Sequence, residues 1–352
     1  MDRRYAMVPG DGIGIDVTRE AVKVLEAASR AFGFGLSLTH FDFGAERYLK
    51  TGETLPEGTL ELWSGFDAVF MGAFGDPRVP DMKHAADILL GTRFKMDLYA
   101  NVRPVRCLTE RLCPLRNYAA KDIDFVVFRE NTEGAYAGIG GIFKKGTADE
   151  IGIQEDVNTR KGVERIIRAA FAFAAATGRG KVTMSDKSNA LRHAHDIWQR
   201  VFAEVAAEYP GIQSNHLYVD ALTMQLIKDP RQFEVIVTCN MFGDIVTDLG
   251  AALQGGLGMA ASGNLHPGRT SMFEPVHGSA PKYAGSDTAN PFGAILTAGM
   301  MLEHTGLPEA AQAIEAAVVG CLETKECTAD VGGTHGARAA ADAVIRRLLE
   351  AA

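Results

Sequence analysis

The sequence predicts an α/β protein of two domains, and three observations carry that expectation. Strand-like apolar runs alternate with helical stretches from residue 5 to residue 72, and the alternation resumes through the middle of the chain. The 352 residues exceed the roughly 250–300 at which one hydrophobic core stops growing. No internal repeat or low-complexity tract suggests a solenoid or a disordered linker instead.

The elements follow in order. Residues 5–8 read as a strand, Pro9-Gly10-Asp11-Gly12-Ile13-Gly14 as a Gly-rich turn, and 16–32 as a helix. Residues 36–43 form a second strand, 57–64 a helix and 68–72 a third strand. Residues 98–105 are extended, and 125–130 are a buried apolar strand ending in charge. Residues 140–153 form a hairpin-like arm with Gly146-Thr147 near its tip, a candidate for contacts between copies. A helix at 159–177, a strand at 181–185, a helix at 193–209, strands at 216–220 and 234–238, and a helix at 242–254 continue the alternation. Residues 255–268 are rich in Gly and Ala, so they read as a close-packed connection or a boundary. Helices at 290–305 and 309–322 follow.

Composition narrows the function. Lys+Arg 36 against Asp+Glu 44 gives a net charge of −8, which supplies no basic field for a nucleic-acid backbone. No apolar run approaches the ~18 residues of a membrane span. The five cysteines make an odd count without a CxxC pair, so neither a disulfide framework nor a zinc site is indicated and a reducing cytoplasm fits. The N-terminus lacks the apolar core of a signal peptide. A small-molecule partner is expected.

The glycines at 10, 12 and 14 do not have the G-x-G-x-x-G spacing that dinucleotide turns need, so a tight structural turn is favoured there. Asp244 and Asp248 lie four apart on a helix, where like charges share a face and repel. Either that face is solvated or a divalent cation sits between the two, since hard ions take oxygen ligands. The almost uncharged stretch at 251–259 beside them favours the cation. Arg93, Arg103 and Arg129 fall at a helix end or at strand edges, and arginine forks that converge there would select a di- or tricarboxylate. His193 and His195 are read as structural.

Together these residues resemble the β-decarboxylating dehydrogenases, the isocitrate/isopropylmalate dehydrogenase superfamily. The most specific run is Asn240-Met241-Phe242-Gly243-Asp244-Ile245-Val246-Thr247-Asp248, followed by Gly255-Gly256-Leu257-Gly258. Around it stand Leu98-Tyr99-Ala100-Asn101-Val102-Arg103-Pro104, Arg129-Glu130-Asn131-Thr132-Glu133-Gly134-Ala135-Tyr136, Asp186-Lys187-Ser188-Asn189, and Phe273-Glu274-Pro275-Val276-His277-Gly278-Ser279-Ala280-Pro281. The resemblance implies a two-domain α/β/α fold that is not a Rossmann fold. Residues 1–98 plus 255–352 would form the cofactor-binding domain, and 99–254 the substrate, metal and dimerisation domain. It implies metal-dependent, NAD(P)-linked oxidative decarboxylation of a 3-substituted malate. Mg²⁺ or Mn²⁺ would bind Asp244, Asp248 and the partner copy's Asp220. Lys187 would act as base and Tyr136 as acid, and Arg93, Arg103 and Arg129 would hold the malate carboxylates. NAD or NADP would lie against Glu274, His277, Gly278, Ser279, Ala280, Pro281, Lys282, Tyr283 and Asn290. The resemblance also implies at least a homodimer in which Lys187 and Asp220 reach the partner's site.

The run before Arg93, Ala86-Asp87-Ile88-Leu89-Leu90-Gly91-Thr92, should read the substrate's variable arm. Leu89 and Leu90 look like the leucine pair of the isopropylmalate enzymes, whereas Asp87 would repel the third carboxylate of isocitrate. The resemblance therefore points first to 3-isopropylmalate and leucine biosynthesis. Tartrate or D-malate and (homo)isocitrate are the alternatives, and a catalytically idle metabolite binder is the alternative of another class. Lys282 and Tyr283 resemble the NADP-dependent isocitrate enzymes, whereas Ala329-Asp330-Val331-Gly332-Gly333 has an NAD-type look.

Overall fold

Neighbouring side chains of the first strand, Asp2–Gly10, point to opposite faces of its sheet. Tyr5 and Met7 join one apolar cluster with Val17, Leu25, Phe70, Ile295 and Val344. Ala6 and Val8 join another with Trp63, Val69, Met71 and Ile88. A parallel strand apolar on both faces must be covered twice, which makes the three-layer arrangement that the alternation at 5–72 predicts. The structure, a computed structural model, describes residues 2–351.

The chain divides into two compact units, Met1–Leu98 with Arg106–Lys121 and Ala251–Ala352, and Tyr99–Val105 with Asp122–Gly250. In the first unit the strand order is Gly35–His40, Asp2–Gly10, Ala68–Ala73, Ser271–Pro275, Ala261–Leu265. The first four are parallel and the last is antiparallel to its neighbour. The helix Ile13–Phe32 packs its buried Val17, Ala21, Val24 and Leu25 on this sheet and stops where Gly33, in the left-handed region, sends its N–H to Ser29 O. Each of the buried Val and Leu side chains contributes roughly 1.5–3 kcal/mol.

In the second unit the strands Asp124–Glu130, Val235–Thr238, Lys181–Asp186 and Gln213–Tyr218 are parallel neighbours in that order. The helices Arg160–Thr177 and Asp196–Ala207 meet through Phe171 and Phe202. The arm is a two-stranded antiparallel ribbon, Gly140–Phe143 with Ile151–Gln154.

Four details depart from the sequence reading. Residues 106–121, placed by the 98/99 boundary in the other domain, belong to the first unit. Arg111 donates to the carbonyls of Leu322 and Val331, and Leu108 and Leu112 pack on that unit's core. Residues 255–268 contain a buried strand, Ala261–Leu265. Its small residues are demanded by packing: a Cβ on Gly263 would come within 2.9 Å of the Phe273 ring and 3.1 Å of Met300. The strand expected at 216–220 ends at Tyr218, and Asp220 lies in the first turn of the helix Val219–Lys228, where an acid complements the helix dipole. The helix expected from 193 begins at Asp196.

Candidate active site

The Gly-rich turn after the first strand is structural, as its spacing suggests. A Cβ on Gly12 would fall 2.1 Å from Ser279 O and one on Gly14 2.4 Å from Ala73 N, so these glycines exist for close backbone approach. Asp11 is buried and its oxygens are claimed inward: Oδ1 accepts from Ala45 N at 2.7 Å, while Oδ2 accepts from Gly75 N and pairs with His84 Nε2, both at 2.9 Å.

The second unit assembles the cluster that the sequence singles out. Arg129, at the end of the strand Asp124–Glu130, is 1% exposed. Its Nε and one terminal nitrogen donate to Asn240 Oδ1 at 3.0 and 2.7 Å, and the other terminal nitrogen bonds Asp244 Oδ1. The guanidinium also lies over the Tyr136 ring, 5.4 Å from its centroid. The arginine passes beneath the helix Asn240–Leu253 because residue 243 is glycine, where a Cβ would stand 2.5 Å from Arg129 Cγ. Arg103, from the strand Ala100–Arg106, donates to Thr247 Oγ1 at 2.6 Å and lies 3.5 Å from Asp244. The Tyr136 hydroxyl donates to Asp244 Oδ2 at 3.1 Å. Arg103, Arg129, Tyr136 and Asp244 thus converge, and Asn240 and Thr247 hold the two arginines in place. The latter pair stand inside the signature run, yet their roles were not assigned from sequence.

Electrostatics separates the two acids of this helix. Burial pushes the Asp244 carboxyl up, but Arg129 and Arg103 outweigh it and hold it below the ordinary carboxylate range. Asp248 is raised, by burial and then by the neighbouring Asp244. A divalent cation would relieve that repulsion, and two carboxylates with open lone pairs fit a hard ion. Among the described residues no three His, Cys, Asp or Glu side chains converge as a metal cluster. Asp220 is instead 2.7 Å from Lys187 of the same chain, and that hydrogen bond leads in lowering the exposed Asp220 carboxyl.

In the first unit, Arg93 is buried and bonds Glu274 Oε1 at 2.6 Å, and Asn264 donates to the same oxygen at 2.9 Å. Arg93 lies in Gly91–Lys95, the last segment of a helical stretch in which Ala86–Leu90 form a π-turn. Leu89 and Leu90 are half-exposed, and Leu89 packs against the core. Asp87, expected to repel a third carboxylate, is itself paired: Lys83 Nζ lies 2.7 Å away and Thr54 donates to it at 3.1 Å.

The expected nucleotide segment is partly engaged and partly open. Ser279 O accepts from Ile13 N, and Asn290 bonds Asp330 and accepts from Phe292 N at the start of the helix Phe292–His304. Gly278 and the single turn Pro281–Tyr283 are exposed, and Lys282 Nζ stands 4.6 Å from the Tyr283 ring centroid. His277 is buried, and burial lowers its pKa. Among the described residues its Nε2 has no hydrogen-bond partner, as expected of a nitrogen kept for a ligand.

Residues 4–345 match the isocitrate/isopropylmalate dehydrogenase family. The chain is 47% identical to the 3-isopropylmalate dehydrogenase of Thermobifida fusca (strain YX) over 349 residues, which cover 99% of this chain and 98% of that protein. The enzyme of the same name from Streptomyces coelicolor is 46% identical over 95% of this chain and 98% of its own. Among solved structures, isocitrate dehydrogenase from Methylococcus capsulatus superposes with a TM-score of 0.89 at 37% identity, over 99% of both chains. The TT0538 protein from Thermus thermophilus gives 0.88 at 36% identity, over 99% of this chain and 68% of that one.

Proposed function

The chain belongs to the isocitrate/isopropylmalate dehydrogenase family, and from that premise we propose that it oxidatively decarboxylates 3-isopropylmalate to 4-methyl-2-oxopentanoate, a step of leucine biosynthesis. The observation that carries the chemistry is the convergence of Arg103, Arg129 and Tyr136 on Asp244. Bound, the nicotinamide would accept hydride from C2, and a divalent ion on Asp244 and Asp248 would draw charge from the 2-hydroxyl and C1 carboxylate. Lys187 takes the hydroxyl proton. Loss of the β-carboxylate as CO₂ leaves an enolate, whose C3 the Tyr136 hydroxyl protonates. Arg93, Arg103 and Arg129 hold the malate carboxylates, so alignment of the breaking bonds comes from position rather than from a covalent intermediate.

The site is completed by a second copy. Lys187 and Asp220 pair with each other, and the acids of one chain do not form a three-ligand set among the described residues, so the partner copy contributes its own Asp220 and Lys187. Exposed Ile142, Phe143, Ile151 and Ile153 on the arm, with Met224, Ile227, Met241 and Ile245 on two helices, form the kind of apolar surface that a symmetric partner covers. NAD or NADP lies along His277–Tyr283. Lys282, with no ion pair among the described residues, suits a 2′-phosphate. No helix among the described residues is long and apolar enough to cross a membrane, and five unpaired cysteines suit a reducing cytoplasm.

Nicotinamide absorbance with Mg²⁺ or Mn²⁺, both nucleotides and a panel of malates tests the reading. Leu89 and Leu90 offer the isopropyl group an apolar wall worth roughly 2 kcal/mol, a preference of some tens-fold over unsubstituted malate. The expected kcat/KM order is 3-isopropylmalate, then D-malate or tartrate, then isocitrate. Isocitrate turning over fastest would overturn the substrate, and turnover of none would make the protein a binder.

A further inference from the structure

Lys187 is anchored by its backbone in a way that its role as base does not require. Its carbonyl accepts from the amides of Ala190 and Leu191 at 2.9 and 2.8 Å. Its own amide donates to Nδ1 of His195 at 3.1 Å, and Nε2 of the same ring lies 3.2 Å from Asp156 Oδ2. An amide N–H can only donate, so Nδ1 must present a lone pair. The ring proton then sits on Nε2, where the carboxylate accepts it. A proton on Nδ1 as well would set two donors against each other, so the hydrogen bonds select one tautomer.

The ring has little freedom to do otherwise. His195 is fully buried, edge-on to Phe242 at 5.6 Å and tilted against Trp198 at 6.5 Å. Trp198 Nε1 is held by Asn158, and the hydrogen bond from His195 leads in holding the Asp156 carboxyl below its usual range. Asp156 lies two residues beyond the arm strand Ile151–Gln154, so the pair ties the root of the arm to the Lys187 loop.

Resting on the proposed role of Lys187, we propose that His195, oriented by Asp156, is a positioning residue for the catalytic base. A lysine side chain turns about four bonds beyond Cα, and the place its ammonium can reach depends on where the backbone starts it. The imidazole fixes that start, and small displacements of a reacting group cost rate more than affinity.

Two substitutions separate positioning from packing. In His195→Asn the side-chain oxygen replaces Nδ1 as acceptor for the Lys187 amide and the link to Asp156 is lost. His195→Gln places its amide near Nε2, keeping Asp156 and losing the acceptor. The expected result is a kcat roughly 10–100-fold lower in His195→Gln, with KM for malate and nucleotide within about threefold, and recovery to within about threefold of wild type in His195→Asn. Equal kcat losses in both variants, or none in His195→Gln, would overturn the proposal. In the unmutated protein with ¹⁵N-labelled histidine, His195 should appear as the Nε2–H tautomer, and a proton on Nδ1 would overturn the proposal even if neither variant folds. Lys187→Ala is run alongside: if it turns over at the wild-type rate, the reading of Lys187 fails, whatever the histidine spectrum shows.

Discussion

Asp11, in the turn between a parallel strand and its helix, and Asp244, early in the helix that follows another parallel strand, stand one in each unit, yet their surroundings are opposite. Asp11 is 6% exposed, and its oxygens are spent on the backbone amides of Ala45 and Gly75 and on His84. The Asp244 side chain is 41% exposed, its partners are the side chains of Arg103, Arg129 and Tyr136, and a second acid stands one turn away. A carboxylate claimed by amides from distant segments is part of the fold. One set beside cations and another acid keeps bonding capacity for something the chain does not contain.

The largest effect that would test this contrast is on turnover. Asp248→Asn should lower activity at limiting Mn²⁺ by about 10³-fold or more, near 4 kcal/mol of barrier, and excess Mn²⁺ should restore part of it. Its melting temperature should not fall. The Asp248 carboxyl is raised in the fold, so its charge subtracts from stability above the folded pKa and ceases to do so as pH drops and it protonates. Activity equal to wild type at limiting metal would make the Asp244/Asp248 pair a solvated face.

Asp11→Ala should act on the other quantity. With three donors left unpaired in the interior, the denaturation midpoint should fall by an amount worth about 3 kcal/mol. A variant that is inactive but as stable as wild type would erase the distinction between the two acids.

The third test asks whether the open acid works with another chain. Lys187→Ala and Asp244→Asn proteins, each inactive, should regain about a quarter of wild-type activity after equal mixing with subunit exchange, because half of the dimers are mixed and each keeps one intact site. No recovery despite demonstrated exchange would place Lys187 in its own chain's site.

Much of this was legible in the sequence because it is written locally. The helix Ile13–Phe32 declares itself by its buried positions and Gly33, and the acid pair by its spacing of four. What was not legible depends on partners far along the chain. Asp11 meets residues 34, 64 and 73 positions away, so its turn could be judged structural without its bonds being known. The run Leu217-Tyr218-Val219 has strand-like residue types, and only the fold shows that the chain turns helical at Val219. His195 looked like one of two unremarkable helix histidines; it precedes the helix because the Lys187 carbonyl closes the loop before it.

The π-turn at Ala86–Leu90 bears on how this protein's substrate choice can change over time. Such a turn amounts to one residue more than an α-helix needs. Deleting a single residue there would return the stretch to regular winding and leave the helix after it nearly in register, because a π-turn spreads about the same rotation over one residue more, so Arg93 would keep Glu274 while the side chains within the turn changed places. In an alignment of descendants that event would appear as a one-letter gap, and in the molecule as a local rearrangement around Leu89 and Leu90, the surface proposed to read the substrate.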